Sequence, residues 1–116
     1  MKNRVLTLLL SITLVYVSAT ASAVAPHIST LGVPPCGTWV KDRQDPKARL
    51  LSKTNEYWLV GYLTGLSVGI GKDFLNGTDP DSLFLWVDNY CRANPLSDAA
   101  YAADGLATVL IRNKGL

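Results

Sequence analysis

The stretch NEYWLVGYLTGLSVGIGKD, residues 55–73, decides the fold. Its apolar positions Trp58, Leu59, Tyr62, Leu63, Leu66 and Ile70 recur at spacings of three and four, the signature of one helical face. Gly61, Gly65 and Gly69 are each four apart and form a second face of the same helix. Glycine is the costliest ordinary residue in a helix interior, so three of them cost roughly 3 kcal/mol relative to alanine. A closely packed neighbouring backbone is the expected compensation. The uncharged run 57–71 is 15 residues long, short of the roughly 20 that span a bilayer. The expectation is a buried helix of a globular domain.

Outward from this helix, punctuation marks the rest of the chain. Residues 72–81 (KDFLNGTDPD) carry Asn76-Gly77 and Asp79-Pro80, the dipeptides of a turn-rich loop. Asp79 as N-cap with Pro80 at the first helical position starts a further helix running to about Arg92. Leu83, Trp86, Val87 and Tyr90 form its core-facing stripe. Asn94-Pro95 ends that helix and opens the last one, with Ser97 as a competing cap. This final helix reaches about Asn113 and buries Leu96, Ala99, Ala100, Ala103, Leu106, Ala107 and Leu110, its alanines suited to close packing on the glycine stripe. Upstream, Asp45-Pro46 starts a short helix to about Ser52 that can join the next, whereas Pro26, Gly32, Pro34 and Pro35 keep residues 24–37 extended. No segment alternates as a strand would. The reading is an all-α bundle of three to four helices with one disulfide: residues 1–23 a signal peptide, 24–37 an extended leader, and 38–116 a single helical domain.

The N-terminus has the layout of an export signal: Lys2 and Arg4, then the apolar run VLTLLLSITLVYV, then Ala21-Ser22-Ala23, with cleavage expected after Ala23. Val33, Pro34 and Pro35 before Cys36 make no lipobox, so no lipid anchor is expected. Export takes Cys36 and Cys91 into an oxidising compartment, periplasmic or secreted, where a lone pair is read as one disulfide. Removing the signal also removes two of the 11 basic residues, leaving nine against nine acidic. The mature charge is zero, which gives no electrostatic footprint for nucleic acid or for an anionic membrane.

The chemistry-bearing residues are few. His27 is the only histidine, and with both cysteines oxidised no Cys/His zinc site or Cys/His nucleophile pair is expected. Two acids alone can cleave glycans, and the available ones are Glu56, Asp73, Asp79, Asp81 and Asp88. Each has an ordinary structural reading: Asp79 and Asp81 start a helix, Asp73 leads into a loop, and Glu56 belongs in a first helical turn, where negative charge is favourable. The oxygens of Asp73, Asn76, Thr78, Asp79 and Asp81 lack the spacing and bidentate glutamate of an EF-hand. Asn76-Gly77-Thr78 is formally a glycosylation sequon. No catalytic residue, metal or cofactor is expected. Trp58, Tyr62, Trp86 and Tyr90 fall on core stripes. Trp39, close to Cys36, covers the disulfide or its neighbourhood, and Tyr57 and Tyr101 are the more exposed aromatics.

Cys36 with Trp39, the helix Trp58, Gly61, Tyr62, Gly65, and the segment Trp86, Tyr90, Cys91, Asn94, Pro95 together resemble the HdeA-like group of small exported bacterial proteins. Within that group the Gly-Tyr-x-x-Gly and Tyr-Cys-x-x-Asn-Pro patterns are most similar to the Rap/Tai-type immunity proteins. The resemblance spans about residues 36–110. It implies a periplasmic protein that either plugs a peptidoglycan-amidase effector or, as an acid-stress chaperone, binds unfolded clients. The chain departs from both patterns. Trp58, Leu59 and Val60 stand where immunity members commonly carry a cysteine, and nine charges of each sign are fewer than the chaperones carry. The leading expectation is a non-enzymatic protein that binds another protein. Its contact is placed on the exposed loop at Lys72, Asp73, Asn76, Thr78 and Asp79, and a homodimer stays open. The acid chaperone and a small cell-envelope enzyme are the alternatives.

Overall fold

A computed structural model describes residues 29–116. The expected signal peptide and cleavage point, and His27, lie outside the described residues. Four helices follow in order: α1 (Cys36–Gln44), α2 (Arg49–Ile70), α3 (Pro80–Ala93) and α4 (Ala99–Lys114), with a 3₁₀ turn (Pro46–Ala48) between the first two. Among the described residues there is no strand, only an isolated bridge between Pro35 and Asp98. The all-α bundle with one disulfide is therefore the fold.

The sequence sets most of the helix ends. A residue before proline avoids the helical region, and Asp45 is extended (φ −92°, ψ 113°), which ends α1. Its carboxylate accepts from the Lys47 N–H at 2.8 Å and opens the 3₁₀ turn, which passes directly into α2. The latter is consequently longer than the expected 55–73 element: it begins at Arg49, and Glu56 lies mid-helix, not in a first turn. Gly71, at φ 66°, closes α2 in the left-handed conformation that glycine adopts without steric cost, and Lys72 N–H bonds back to the Ser67 carbonyl. Asp79 caps α3 through Ser82 N–H (2.8 Å) and Ser82 Oγ (2.6 Å), with Pro80 at its first position. α4 is capped by Asp98, which accepts from Ala100 and Tyr101 N–H, so the helix does not start at Asn94-Pro95 and Ser97 is not its cap.

α1 begins at Cys36, so the last two residues of the expected extended leader, Cys36 and Gly37, are helical. The preceding residues are tied down: Cys36 N–H bonds Ser97 O, and Ala99 N–H bonds Pro34 O. Further upstream, the Trp58 indole donates to Leu31 O at 2.8 Å.

The core draws on all four α-helices: Cys36 and Trp39 from α1, Leu59 and Leu63 from α2, Leu83, Phe84, Val87 and Cys91 from α3, and Ala99, Ala102, Ala103, Leu106 and Ala107 from α4. Phe74 joins them from the α2–α3 loop. Cys36 and Cys91 are bonded and fully buried. Trp58 stacks on Tyr62, and Trp86 on Tyr90. All four are half-buried and pack against the core rather than inside it.

Three expectations are overturned. A Cβ added at Gly61, Gly65 or Gly69 would meet nothing within 4 Å. The glycine stripe faces open space, and the α4 alanines pack elsewhere. The tightest approach to a glycine among the described residues is at Gly105, with Trp86 Cη2 3.2 Å from its notional Cβ. Leu96 is fully exposed in the turn before α4, and Ile70 is 44% exposed at the end of α2.

Candidate functional site

The expected contact loop, between α2 and α3, is built around one buried side chain. Phe74 is completely buried, and its ring, with Leu75 packed partly against the core beside it, anchors the segment. Ser67 Oγ donates to Lys72 O at 2.5 Å, Phe74 N–H bonds Lys72 O, and Thr78 N–H bonds Leu75 O. Lys114 Nζ donates to the Asn76 carbonyl and joins the loop to the end of α4. With these bonds the backbone is held while Lys72, Asp73, Asn76 and Asp79 stay exposed and Thr78 is half-buried. The side chains of Lys72, Asp73 and Asn76 have no partner among the described residues. Asp79 is committed to capping α3, and its hydrogen bonds from Ser82 Oγ and then Ser82 N–H hold its carboxyl below the usual value. Sequence reading placed the loop but missed Phe74. Its signal was a lone aromatic in an otherwise polar turn.

The α2 surface leading to the loop is uncharged and outward: Leu50, Thr54, Tyr57, Gly61, Gly65 and Val68 are all exposed. On the other structural motif positions, Tyr62 OH donates to Asp104 Oδ1 at 2.7 Å and joins α2 to α4. Burial and then that carboxylate push the Tyr62 hydroxyl up to about 12. Asn94 closes α3, its side chain donating to Tyr90 O, and Pro95 follows in the turn.

A second polar constellation went unread in the sequence. Arg43 of α1 reaches Glu56 Oε1 of α2 and Asp88 Oδ1 of α3, each at 2.5 Å. The contact to Asp88 is ionic, since Arg43 Nε is not aligned for a hydrogen bond. Asp88 also accepts from the Trp39 indole at 2.8 Å, and Glu56 from Lys53 at 2.6 Å. The Arg43 guanidinium sits over the Trp39 and Phe84 rings, 5.8 and 5.7 Å from their centroids. Both carboxylates are buried and engaged by cations, so as they stand they serve cohesion between helices rather than acid–base work. The signal was on the page: Ser52, Glu56, Leu59 and Leu63 share a helical spacing, which puts Glu56 on the buried stripe.

Compared with family models, curated proteins and solved structures, the chain finds no match. No described helix is long and apolar enough to cross a membrane. The buried disulfide belongs to an oxidising, non-cytoplasmic compartment.

Proposed function

We propose that this is an exported, non-enzymatic helical protein that acts by binding another protein, as an immunity-type inhibitor of a peptidoglycan amidase. One observation carries the reading. The α2–α3 loop presents Lys72, Asp73 and Asn76 with unpaired side chains on a backbone pinned by Phe74. A held loop loses little conformational entropy on docking, and a convex loop of this kind fits the concave cleft of an enzyme. The uncharged face of α2 runs up to it and extends the surface. Consistent with a role other than catalysis, Glu56 and Asp88 are engaged by Arg43.

The test is inhibition. The oxidised protein is added to purified cell-wall amidases digesting sacculi, alongside the variant Lys72→Ala/Asp73→Ala/Asn76→Ala. Asp79 is left intact because it caps α3. Inhibition of one amidase, lost in the triple variant while its melting temperature holds, is the expected result. Full inhibition by the triple variant removes the loop from the contact. Absence of inhibition across the panel removes the amidase reading.

A further inference from the structure

Asn76 differs from every other asparagine among the described residues. Asn55, Asn89 and Asn113 lie inside helices, where the next backbone N–H belongs to the hydrogen-bond ladder. The side chains of Asn55 and Asn89 are also engaged, by Asp42 and by Arg92. Asn94 precedes Pro95, which has no N–H. Asn76 lies exposed in the α2–α3 loop with no partner for its side chain, and the residue after it is a glycine that is exposed as well. The Gly77 N–H makes no hydrogen bond among the described residues, and the turn closes one residue later through Thr78 N–H on Leu75 O. A Cβ added at Gly77 would meet nothing within 4 Å, so the site is open to water.

One further contact bears on chemistry at this pair. Lys114 Nζ donates to the Asn76 carbonyl oxygen, which belongs to the same peptide group as the Gly77 nitrogen. When that nitrogen loses its proton, the negative charge is shared with the carbonyl oxygen. An ammonium bonded to that oxygen stabilises the anion and raises the fraction of nitrogen that can act as a nucleophile.

We propose that Asn76-Gly77 is a self-modification site, at which the Gly77 nitrogen attacks the Asn76 side-chain amide with help from Lys114. Hydroxide takes the Gly77 proton. The N–Cγ bond forms and the Cγ–Nδ2 bond breaks, and Nδ2 takes a proton from water and leaves as ammonia, closing a succinimide ring. Water then opens the ring at either carbonyl. Cleavage of N–Cγ leaves aspartate. Cleavage between the nitrogen and the main-chain carbonyl carbon leaves isoaspartate, with the chain routed through the former side chain. No oxidation state changes. Glycine favours the step in two ways: no side chain hinders the attack, and its wide φ range lets the peptide group rotate toward Cγ. Either product places a new carboxylate in the loop between Asp73 and Asp79. Ageing of the loop then alters the proposed partner contact, a consequence that rests on the binding reading, whereas the chemistry does not.

The experiment incubates the folded, oxidised protein in mildly alkaline buffer and follows the tryptic peptide 73–92 by mass spectrometry. The expected result is a gain of one dalton at Asn76 in two separable isomers, with no gain at Asn89 in the same peptide and none at position 76 of Asn76→Ser. The rate should rise in proportion to hydroxide. Lys114→Met should slow it about two- to fivefold, the effect of one charge at an exposed site, and Lys114→Arg should restore most of the rate. If Lys114 only tethers the loop, its removal loosens the segment and speeds the reaction. An unchanged or faster rate in Lys114→Met therefore overturns the role of Lys114. A folded protein that yields no product while a synthetic peptide of the same residues converts overturns the site itself, whatever the amidase experiment shows.

Discussion

Replacing Gly61 and Gly65 with alanine should stabilise this protein. Both lie inside α2, and a Cβ at either meets nothing within 4 Å. The exchange therefore carries no packing penalty and leaves only the backbone contribution. Glycine is about 0.8–1.0 kcal/mol worse than alanine in a helix interior, because it surrenders more freedom on folding. The two sites are one turn apart without a shared partner, so their gains should nearly add, to roughly 1.5–2 kcal/mol. In a domain of this size 1 kcal/mol shifts the melting temperature by about 4–8 °C, which puts the double variant roughly 6–16 °C above the parent. Gly105→Ala is the internal control. The same backbone gain applies there, but the new Cβ lies 3.2 Å from Trp86 Cη2, and Trp86 is stacked on Tyr90. Its net gain should fall short of that at Gly61 by about 1 kcal/mol or more. Circular-dichroism melts of the three variants, with sedimentation to check their mass, decide the matter. A lower melting temperature for Gly61→Ala or Gly65→Ala, or a change in mass, would refute the reasoning by showing that something packs on this face.

Other perturbations test the remaining cohesion. Arg43→Ala strands Glu56 and Asp88 as buried carboxylates without their shared cation, and chemical denaturation should show a loss of about 3–5 kcal/mol. Arg43→Lys should recover only part of it, since one ammonium cannot reproduce the guanidinium fork between two acids. Cys36→Ala/Cys91→Ala opens a link of sequence separation 55 and should cost about 4 kcal/mol by loss of the constraint on the unfolded chain, read as a lower urea midpoint. Tyr62, raised to about 12, keeps its proton in the folded protein at a pH where the unfolded chain, near 10, has lost it. Its contribution is complete below pH 10 and is lost as pH rises from 10 to 12. Solvent screening at this part-exposed site limits it to about 1 kcal/mol, and Tyr62→Phe should remove that slope from urea titrations between pH 9 and 12.

What could be read in the sequence was local. Asp79-Pro80 places the start of α3 because a cap and a fixed φ act within four residues, whereas α1, a mostly polar helix before Asp45-Pro46, was not read at all. The start of α2 was harder to place, because the 3₁₀ turn after Pro46 runs on into Arg49 without a break. The glycine stripe shows a deeper limit. Periodicity says which residues share a face of α2, but not which face is turned inward. Two stripes competed, and the buried one passes through Ser52, Glu56, Leu59 and Leu63. Leu59 and Leu63 were read on that face from their apolar spacing, whereas the cation that lets Glu56 share it comes from α1 and could not be read locally. The contact loop was legible as a loop from Asn76-Gly77, whereas its anchoring by Phe74 depends on a cavity formed by several elements.

The docking of α1 ties these observations together. This helix is short and mostly polar, and only Cys36, Trp39 and Asp42 of its nine residues are buried. Hydrophobic burial alone would hold it weakly. It is instead fastened to α3 at three successive points on one side: Cys36 covalently to Cys91, Trp39 by hydrogen bond to Asp88, and Arg43 by ion contact to that same Asp88. Cys91 and Asp88 are three residues apart, one turn of α3, so the covalent and ionic fastenings lie side by side. Arg43 then reaches across to Glu56 and brings in α2. A polar helix fixed in this way leaves an open groove at its far end, where Gln44, Asp45, Pro46 and Arg49 border it. The buried charge that holds the bundle together and the open polar groove at its edge therefore have one origin, in a helix attached by specific bonds where an apolar face would have closed the gap.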